Sequence, residues 1–395
     1  MRENRRNITL EGGHISMYEL RKLDSPVNVT RTFMPPFSEF TAEIERLWNN
    51  SWITNNGVLH QEFEEKLIEY CEVENISLLV NGHLALETAL KTLDLKGEVI
   101  TTPFTFASTI HAIVNCGLTP VFCDIDKDDY NIDVSKIERL INEKTVAILP
   151  VHVFGTPCKV HEIEKISKKY NLKVIYDAAH AFGVKLDGKS IASHGDLSMF
   201  SLHATKLFHS IEGGVLSYKN SNYKKKINLL KNFGISGPET VEMVGYNAKM
   251  NEFQAAMGLV NLNYVETNIN KRKLITDKYV SLLKGIPGIQ LLNYSLNNIE
   301  YNYSYFPVLF DPILFGVSRD TVHELLGENN IFTRKYFYPL ATDYDCFEEK
   351  YSGLDLPNAK AISDKVLTLP IYPELSLETV EIICENIIEI HRRSL

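Results

Sequence analysis

The chain has 395 residues, 44% apolar and 23% charged, enough to bury a sizeable core in two or three units without disulfide or metal staples. Its 41 basic and 50 acidic residues, net −9, are spread along the chain, which argues against nucleic acid or an anionic membrane as a partner. Six scattered cysteines (Cys71, Cys116, Cys123, Cys158, Cys346, Cys384) form no CxxC pair; this excludes a zinc ribbon and a secreted disulfide scaffold and reads as reduced, mostly buried thiols. No apolar stretch reaches the roughly 18–20 residues of a membrane span, and the start MRENRRNITLEGG lacks an apolar core, so a cytoplasmic protein with no metal site is expected.

Residues 1–28 are polar and without a sustained period, and are expected to form an extension or loosely attached arm. From Phe37, the residues Phe40, Ile44, Leu47 and Trp48 recur at helical spacing, as do Phe63, Leu67 and Ile68 after the turn Thr54-Asn55-Asn56-Gly57, so two helices should flank a loop. Between about 76 and 220, short apolar runs alternate with helical stretches: ISLLV, EVITT, PVFCDI, TVAILPV, KVIYDAA, LSMFSL and GVLSYK. That rhythm predicts an α/β domain with a mostly parallel sheet covered on both faces, whose ligand site gathers at the carboxyl ends of the strands. From about 251 to 283 the periodic residues Phe253, Met257, Val260, Leu262 and Val265 predict one long helix leading out of that domain, and the remainder reads as a smaller α+β domain.

Three positions stand out at predicted strand ends. Asn81-Gly82-His83 follows ISLLV and opens a helical stretch; its glycine allows a sharp turn and the first helix amides would cradle a phosphate, although a ligand-free turn has the same sequence. Asp177 in VIYDAAHAFG ends a central strand, where a carboxylate must be paired or hydrogen-bonded; capping the next helix is the alternative. Lys206 in SMFSLHATKLFHSIEGG is flanked by Phe200, His203, Phe208 and His209, surroundings that would desolvate its ammonium form and free a nucleophilic amine, whereas a lone lysine is by default a snorkelling surface residue. His203 reads equally as a proton-handling neighbour or a packing residue. In chain order, a phosphate cradle, a buried acid and a lysine after separate strands of one sheet are what a pyridoxal phosphate site requires.

The motifs NGHLALETAL, TPFTFASTIHAI, PVHVFG, DAAHAFG, FSLHATK, EGG and GYNAKMNEFQAAMG, taken together, resemble the DegT/DnrJ-type nucleotide-sugar aminotransferases, from about Asn28 to the C-terminus. The resemblance implies a fold-type I pyridoxal-phosphate-dependent aminotransferase. Its segments would be an N-terminal extension (1–28), a segment joining the small domain (29–59), a large cofactor-binding domain (60–265) and a small C-terminal domain (266–395). It implies that Lys206 forms the imine with the cofactor and shuttles protons, that Asp177 faces the pyridine nitrogen, and that His180 neighbours the ring hydroxyl where many relatives carry glutamine. Phe106 would stack on the ring, while Gly82, His83, Ser201 and Asn247, the last from a second subunit of a homodimer with shared active sites, would hold the phosphate. Read without the resemblance, Phe106 is a core residue, His180 a buried histidine and Asn247 the end of a turn. Many relatives have threonine at the position of His83, and relatives that deoxygenate sugars have histidine at the position of Lys206; lysine there implies transamination.

The stretches TFMPPFSEF, SWITNNGVLHQEFE and FSLHATKLFHSIEGG are most similar to members that use L-glutamate to aminate C4 of dTDP-4-keto-6-deoxy-D-glucose, giving dTDP-4-amino-4,6-dideoxy-D-glucose for O-antigen or other surface polysaccharide. Trp52, Asn55, Asn56, His152, Arg334 and Tyr338 are the expected contacts to this nucleotide-linked keto sugar, with Arg334 on the diphosphate and Trp52 equally readable as core. Amination at C3 of a 3-keto sugar, and a non-catalytic regulatory protein that binds the cofactor, are the alternatives.

Overall fold

The computed structural model describes residues 20–351 and 353–395, with two short strands at Thr9–Leu10 and Gly13–His14. Most of the expected N-terminal arm lies outside the described residues. From Leu20 onward the chain is not loosely attached, because its backbone is tied down: Leu23 N–H donates to Asn329 O (3.2 Å), Arg21 N–H to Asn386 Oδ1 (2.9 Å) and Val27 N–H to Asn330 O (2.8 Å).

The seven apolar runs become the strands β1 (Ile76–Leu79), β2 (Glu98–Thr101), β3 (Thr119–Phe122), β4 (Thr145–Leu149), β5 (Lys173–Asp177), β6 (Leu197–Ser201) and β7 (Gly214–Tyr218). They form one sheet in the order β1-β7-β6-β5-β4-β2-β3, parallel except for β7, which is antiparallel to both neighbours. Successive strand residues point to opposite faces, and both faces here are apolar. Ile76, Leu78, Ile100, Ile148, Val174, Tyr176, Phe200 and Val215 enter one core with Leu47 of α1 (Phe37–Asn50) and Phe63 of α2 (Val58–Cys71). Leu79, Val99, Leu149, Ile175, Met199 and Leu216 enter another with Leu86 and Leu90 of α3 (Gly82–Thr92) and Ile113 of α4 (Ala107–Asn115). Each such buried Leu, Ile or Val contributes about 1.5–3 kcal/mol over its exposed state.

The expected long helix is two helices, α5 (Glu252–Leu262) and α6 (Val265–Leu283). At the break the ladder tightens to i→i−3 bonds, Asn263 N–H to Val260 O and Tyr264 N–H to Asn261 O. Tyr264 is also held sideways, its hydroxyl on Glu39 Oε1 (2.6 Å) and its ring 5.3 Å from Phe33. Helix α6 starts in the first core at Val265 and ends in a third at Ile275, Tyr279 and Leu283. That third core covers the antiparallel strands β8 (Ile289–Leu291), β9 (Phe306–Phe310) and β10 (Val366–Leu369) and is closed by α7 (Arg319–Glu328) and α8 (Leu377–Ser394).

An aromatic cluster joins the two sheets. Phe104, Tyr130 and Phe154 from the large-sheet side meet Tyr305, just before β9, and Phe337, with Phe104 5.5 Å from Phe337 edge-on and Phe154 stacked on it at 6.0 Å. The six cysteines are free thiols and four are buried. No helix among the described residues is long and apolar enough to cross a membrane.

Candidate active site

Strand parity decides where Asp177 points. It shares the parity of Ile175 on β5 and so faces the α3/α4 side, where the Thr109 hydroxyl donates to its Oδ2 (2.8 Å). Thr109 in turn accepts from Thr105 (2.8 Å), and Oδ1 accepts the Ala179 amide (3.1 Å). Asp177 therefore caps the next turn and is also a buried, hydrogen-bonded acid. Burial pushes its carboxyl above the ordinary value, against the pull of Thr109, the Ala179 amide and the Lys206 charge.

Lys206 sits in the loop between β6 and β7, its backbone N–H on His203 O (2.8 Å). Burial pushes its ammonium below the ordinary value, opposed by the negative charge of Asp177. The residues beside it in sequence are not its surroundings. Phe200 and Phe208 are in the core, His209 Nε2 is 2.7 Å from Phe33 O, and His203 is occupied by Thr205 and Glu212. Aromatic side chains from the small-sheet half face the amine instead, with Nζ 6.0 Å from the Tyr305 ring centre and Tyr336 close enough to bias its charge.

His180 follows Asp177 by three residues. Its ring stacks on Phe337 (5.9 Å, 4°) and tilts against Tyr305 (4.7 Å), its carbonyl accepts from Asn302 and Ser304, and its Nδ1 has no partner. Burial, aided by Lys206, pushes this imidazole well below its ordinary pKa, so it is neutral.

At the same strand ends, register aligns Leu79 of β1, Gly214 of β7 and Ser201 of β6 in one row. A side chain at Gly214 would lie 2.3 Å from Asn81 O, and one at Gly82 would lie 3.0 Å from Ser201 Cβ, so both glycines permit this close approach. Asn81 caps α3 by accepting the Leu84 amide (2.9 Å), which leaves the Gly82 and His83 amides at the open end of the helix with the Ser201 hydroxyl beside them. The His83 ring is turned along the helix to Glu87 and Ser108.

Phe106 is 61% exposed at the start of α4, so it is not core. It lines a cleft of about 300 Å³ with Arg334, Tyr336, Phe337 and Tyr338. Arg334 is anchored by backbone pairing with Thr368, and its guanidinium lies 5.7 Å from the Tyr336 ring centre. Tyr336 and Phe337 thus belong to both this cleft and the surroundings of Lys206 and His180. Asn55 and Asn56 line a different pocket of about 360 Å³ with Lys225, Lys231, Asn232 and Lys249. Trp52 is exposed rather than core and donates its indole N–H to Asn55 O (2.8 Å); Asn247 is exposed, its Oδ1 accepting from Lys249 Nζ (2.7 Å). His152 is a correction: it is 0% exposed, stacked on Tyr176 at 4.7 Å, with Nδ1 accepting the Cys158 amide, and has no surface to offer a sugar.

Sequence reasoning missed Thr109, Tyr305, Tyr336 and Phe337. The aromatic runs YNYSYF and KYFYP were visible, but nothing local says what they face.

A desolvated amine facing a buried acid, a neutral imidazole with an orphan nitrogen, and open helix amides beside a hydroxyl fit the aldehyde, ring and phosphate of pyridoxal phosphate. That fold and donor set define a pyridoxal-phosphate-dependent transferase. The chain belongs to the DegT/DnrJ/EryC1/StrS aminotransferase family, which matches residues 37–388. It is 48% identical over 360 residues to a dTDP-4-amino-4,6-dideoxy-D-glucose transaminase of Escherichia coli, covering 90% of this chain and 96% of that one. It is 45% identical to a protein of the same name from Shigella dysenteriae, covering 93% and 100%. Its structure superposes on DesI, solved in the presence of its TDP-sugar product, with a TM-score of 0.89, 30% identity and coverage of 94% and 95%. The protein is a pyridoxal-phosphate-dependent sugar aminotransferase.

Proposed function

We propose that this enzyme moves an amino group from L-glutamate to C4 of dTDP-4-keto-6-deoxy-D-glucose, giving dTDP-4-amino-4,6-dideoxy-D-glucose. We place it in the cytoplasm as a homodimer supplying a surface polysaccharide such as O-antigen. The observation that carries this is the 48% and 45% identity, over at least 90% of the chain, to two relatives of that activity.

Bound pyridoxal phosphate supplies an aldehyde that carries the nitrogen and a ring that accepts electrons. Asp177 holds a negative charge where a ring nitrogen must stay cationic, and Thr109 keeps that carboxylate oriented. Lys206, its ammonium destabilised by burial, would hold the aldehyde, and its Nζ would be the group that moves a proton at the substrate carbon. His180, with its unpartnered Nδ1, would face the ring hydroxyl, and the exposed Phe106 would lie against the ring. The Gly82 and His83 amides and the Ser201 hydroxyl would hold the phosphate. Arg334 suits a diphosphate, with Tyr338 beside it in the cleft. Asn247 completes the phosphate site of a second subunit, while Trp52, Asn55 and Asn56 serve the sugar nucleotide there. The exposed Phe233, Ile235, Val241 and Val244 on the segment leading to Asn247 support such an interface.

The test is incubation of purified enzyme with pyridoxal phosphate, glutamate and the 4-keto sugar, with NMR locating the new nitrogen. Nitrogen on C4 is expected. Amination only of a 3-keto sugar at C3, or an absorbance spectrum that glutamate leaves unchanged, would overturn the assignment.

A further inference from the structure

His83 occupies the second position of α3, at the open helix end where the phosphate is placed. Its Nε2 lies 3.1 Å from Glu87 Oε1, one turn along, and its Nδ1 lies 2.9 Å from Ser108 Oγ on α4. Glu87 is 8% exposed and also accepts from Asn115 Nδ2 (2.8 Å), so the carboxylate is fixed and largely out of water. When both ring nitrogens are protonated, one donates to Glu87 and the other to Ser108. The Ser108 hydroxyl then accepts from the ring and keeps its own proton for another acceptor.

One further charge acts on the pair: the Lys91 ammonium also helps to hold the Glu87 carboxyl below its ordinary value. Lys91, further along α3, lies over the Tyr246 ring at 4.7 Å, and the Tyr246 hydroxyl is bonded to Thr88. Helix α4 contributes Ser108, Asn115 and Cys116, a thiol that burial pushes up to about 11; β6 contributes Met199 and Ser201 against Gly82. Protonated, His83 and Glu87 sum to zero. Deprotonated, they leave one carboxylate charge next to a dianion, an unfavourable juxtaposition.

We propose that the His83–Glu87 pair, acting through the Ser108 hydroxyl, makes the grip on the cofactor's phosphate depend on a single proton, strong with imidazolium and weaker with neutral imidazole. This rests on the phosphate standing at the start of α3. It matters most once the cofactor carries the amino group, because Lys206 then no longer holds it covalently and the phosphate contacts carry more of the retention. The hydrogen bond to Glu87 raises His83 above its ordinary pKa, and His83 in turn lowers Glu87. The grip should therefore weaken as pH climbs through the raised histidine value.

The test uses glutamate-loaded holoenzyme and follows release of pyridoxamine phosphate by its fluorescence from below the ordinary histidine range up to about pH 9. Wild-type release should speed up about three- to tenfold across that range. His83→Asn and His83→Gln should release quickly at every pH, and Glu87→Gln should move the transition to lower pH. The 31P shift of the bound phosphate should titrate in step in wild type and stay flat in His83→Asn. Release that is independent of pH in wild type, or a wild-type pH profile that persists in both His83 variants, would overturn the inference. A protein that never takes up pyridoxal phosphate would instead fail the functional assignment on which it rests.

Discussion

At the residue scale, two hydrogen bonds separate the role of Asp177 from its identity as an acid. Asp177→Asn keeps the shape and a Thr109 contact but removes the charge proposed to sustain a cationic ring nitrogen. Turnover should fall by about 10²–10³-fold while cofactor occupancy, read by absorbance, stays near wild type; unchanged turnover would remove Asp177 from the chemistry. Thr109→Val acts on the same carboxylate from the other side. Burial already raises Asp177, and the Thr109 donor opposes that rise. Without it the carboxyl climbs further and less of it is ionised near neutrality, so the acid limb of the kcat profile should move to higher pH. An unmoved limb would mean that another group sets it.

At the scale of elements, a buried acid holds the loop that carries Trp52, Asn55 and Asn56. Glu252, 0% exposed at the start of α5, accepts the amides of Gly57 (3.0 Å), Leu59 (2.9 Å) and His60 (3.2 Å), the open end of α2. Its own amide donates to Ile53 O (3.3 Å), so helix and loop are clasped together. Glu252→Ala should leave three amides without acceptors and cost about 2–4 kcal/mol, measured as a fall in the urea midpoint. The adjoining Gly57 is constrained by the same contact, since a side chain there would lie 2.6 Å from Glu252 Cδ.

For the whole molecule, buried histidines outside the chemistry add to the loss of stability in acid. Burial pushes His60 and His152 from 6.5 down to about 3. Unfolded, both rings take up protons near 6.5; folded, they do so only near 3. Their contribution is complete above about pH 6.5 and is lost as pH falls through that window, by about 2 kcal/mol per ring at pH 5. Urea midpoints at pH 7 and pH 5 should show that loss, and His152→Phe should flatten part of the slope. The slope is the informative quantity, because that variant also deprives the Cys158 amide of its acceptor at every pH.

The seven strands, the helices flanking the Thr54–Gly57 turn, and the placement of Asn81-Gly82-His83, Asp177 and Lys206 after separate strands of one sheet were all legible in the sequence. Each is a local signal: an apolar run of strand length, a 3.6-residue period, or a polar residue just past a strand. The break between α5 and α6 was not legible, because the apolar period continues through Asn263 and Tyr264 while the distortion comes from Phe33 and Glu39, more than 200 residues away in the chain. The partners of the site were hidden for the same reason. Thr109 meets Asp177 only because strand parity turns the acid toward α4. Tyr305, Tyr336 and Phe337 reach Lys206 and His180 only because an aromatic cluster joins the two sheets. His152, which sits in PVHVFG among conspicuous polar candidates, went the other way, into the core on Tyr176. Local patterning thus determined which residue types end which strands, whereas long-range packing decided what each one touches, since contact across elements depends on register and docking that no short stretch of sequence encodes.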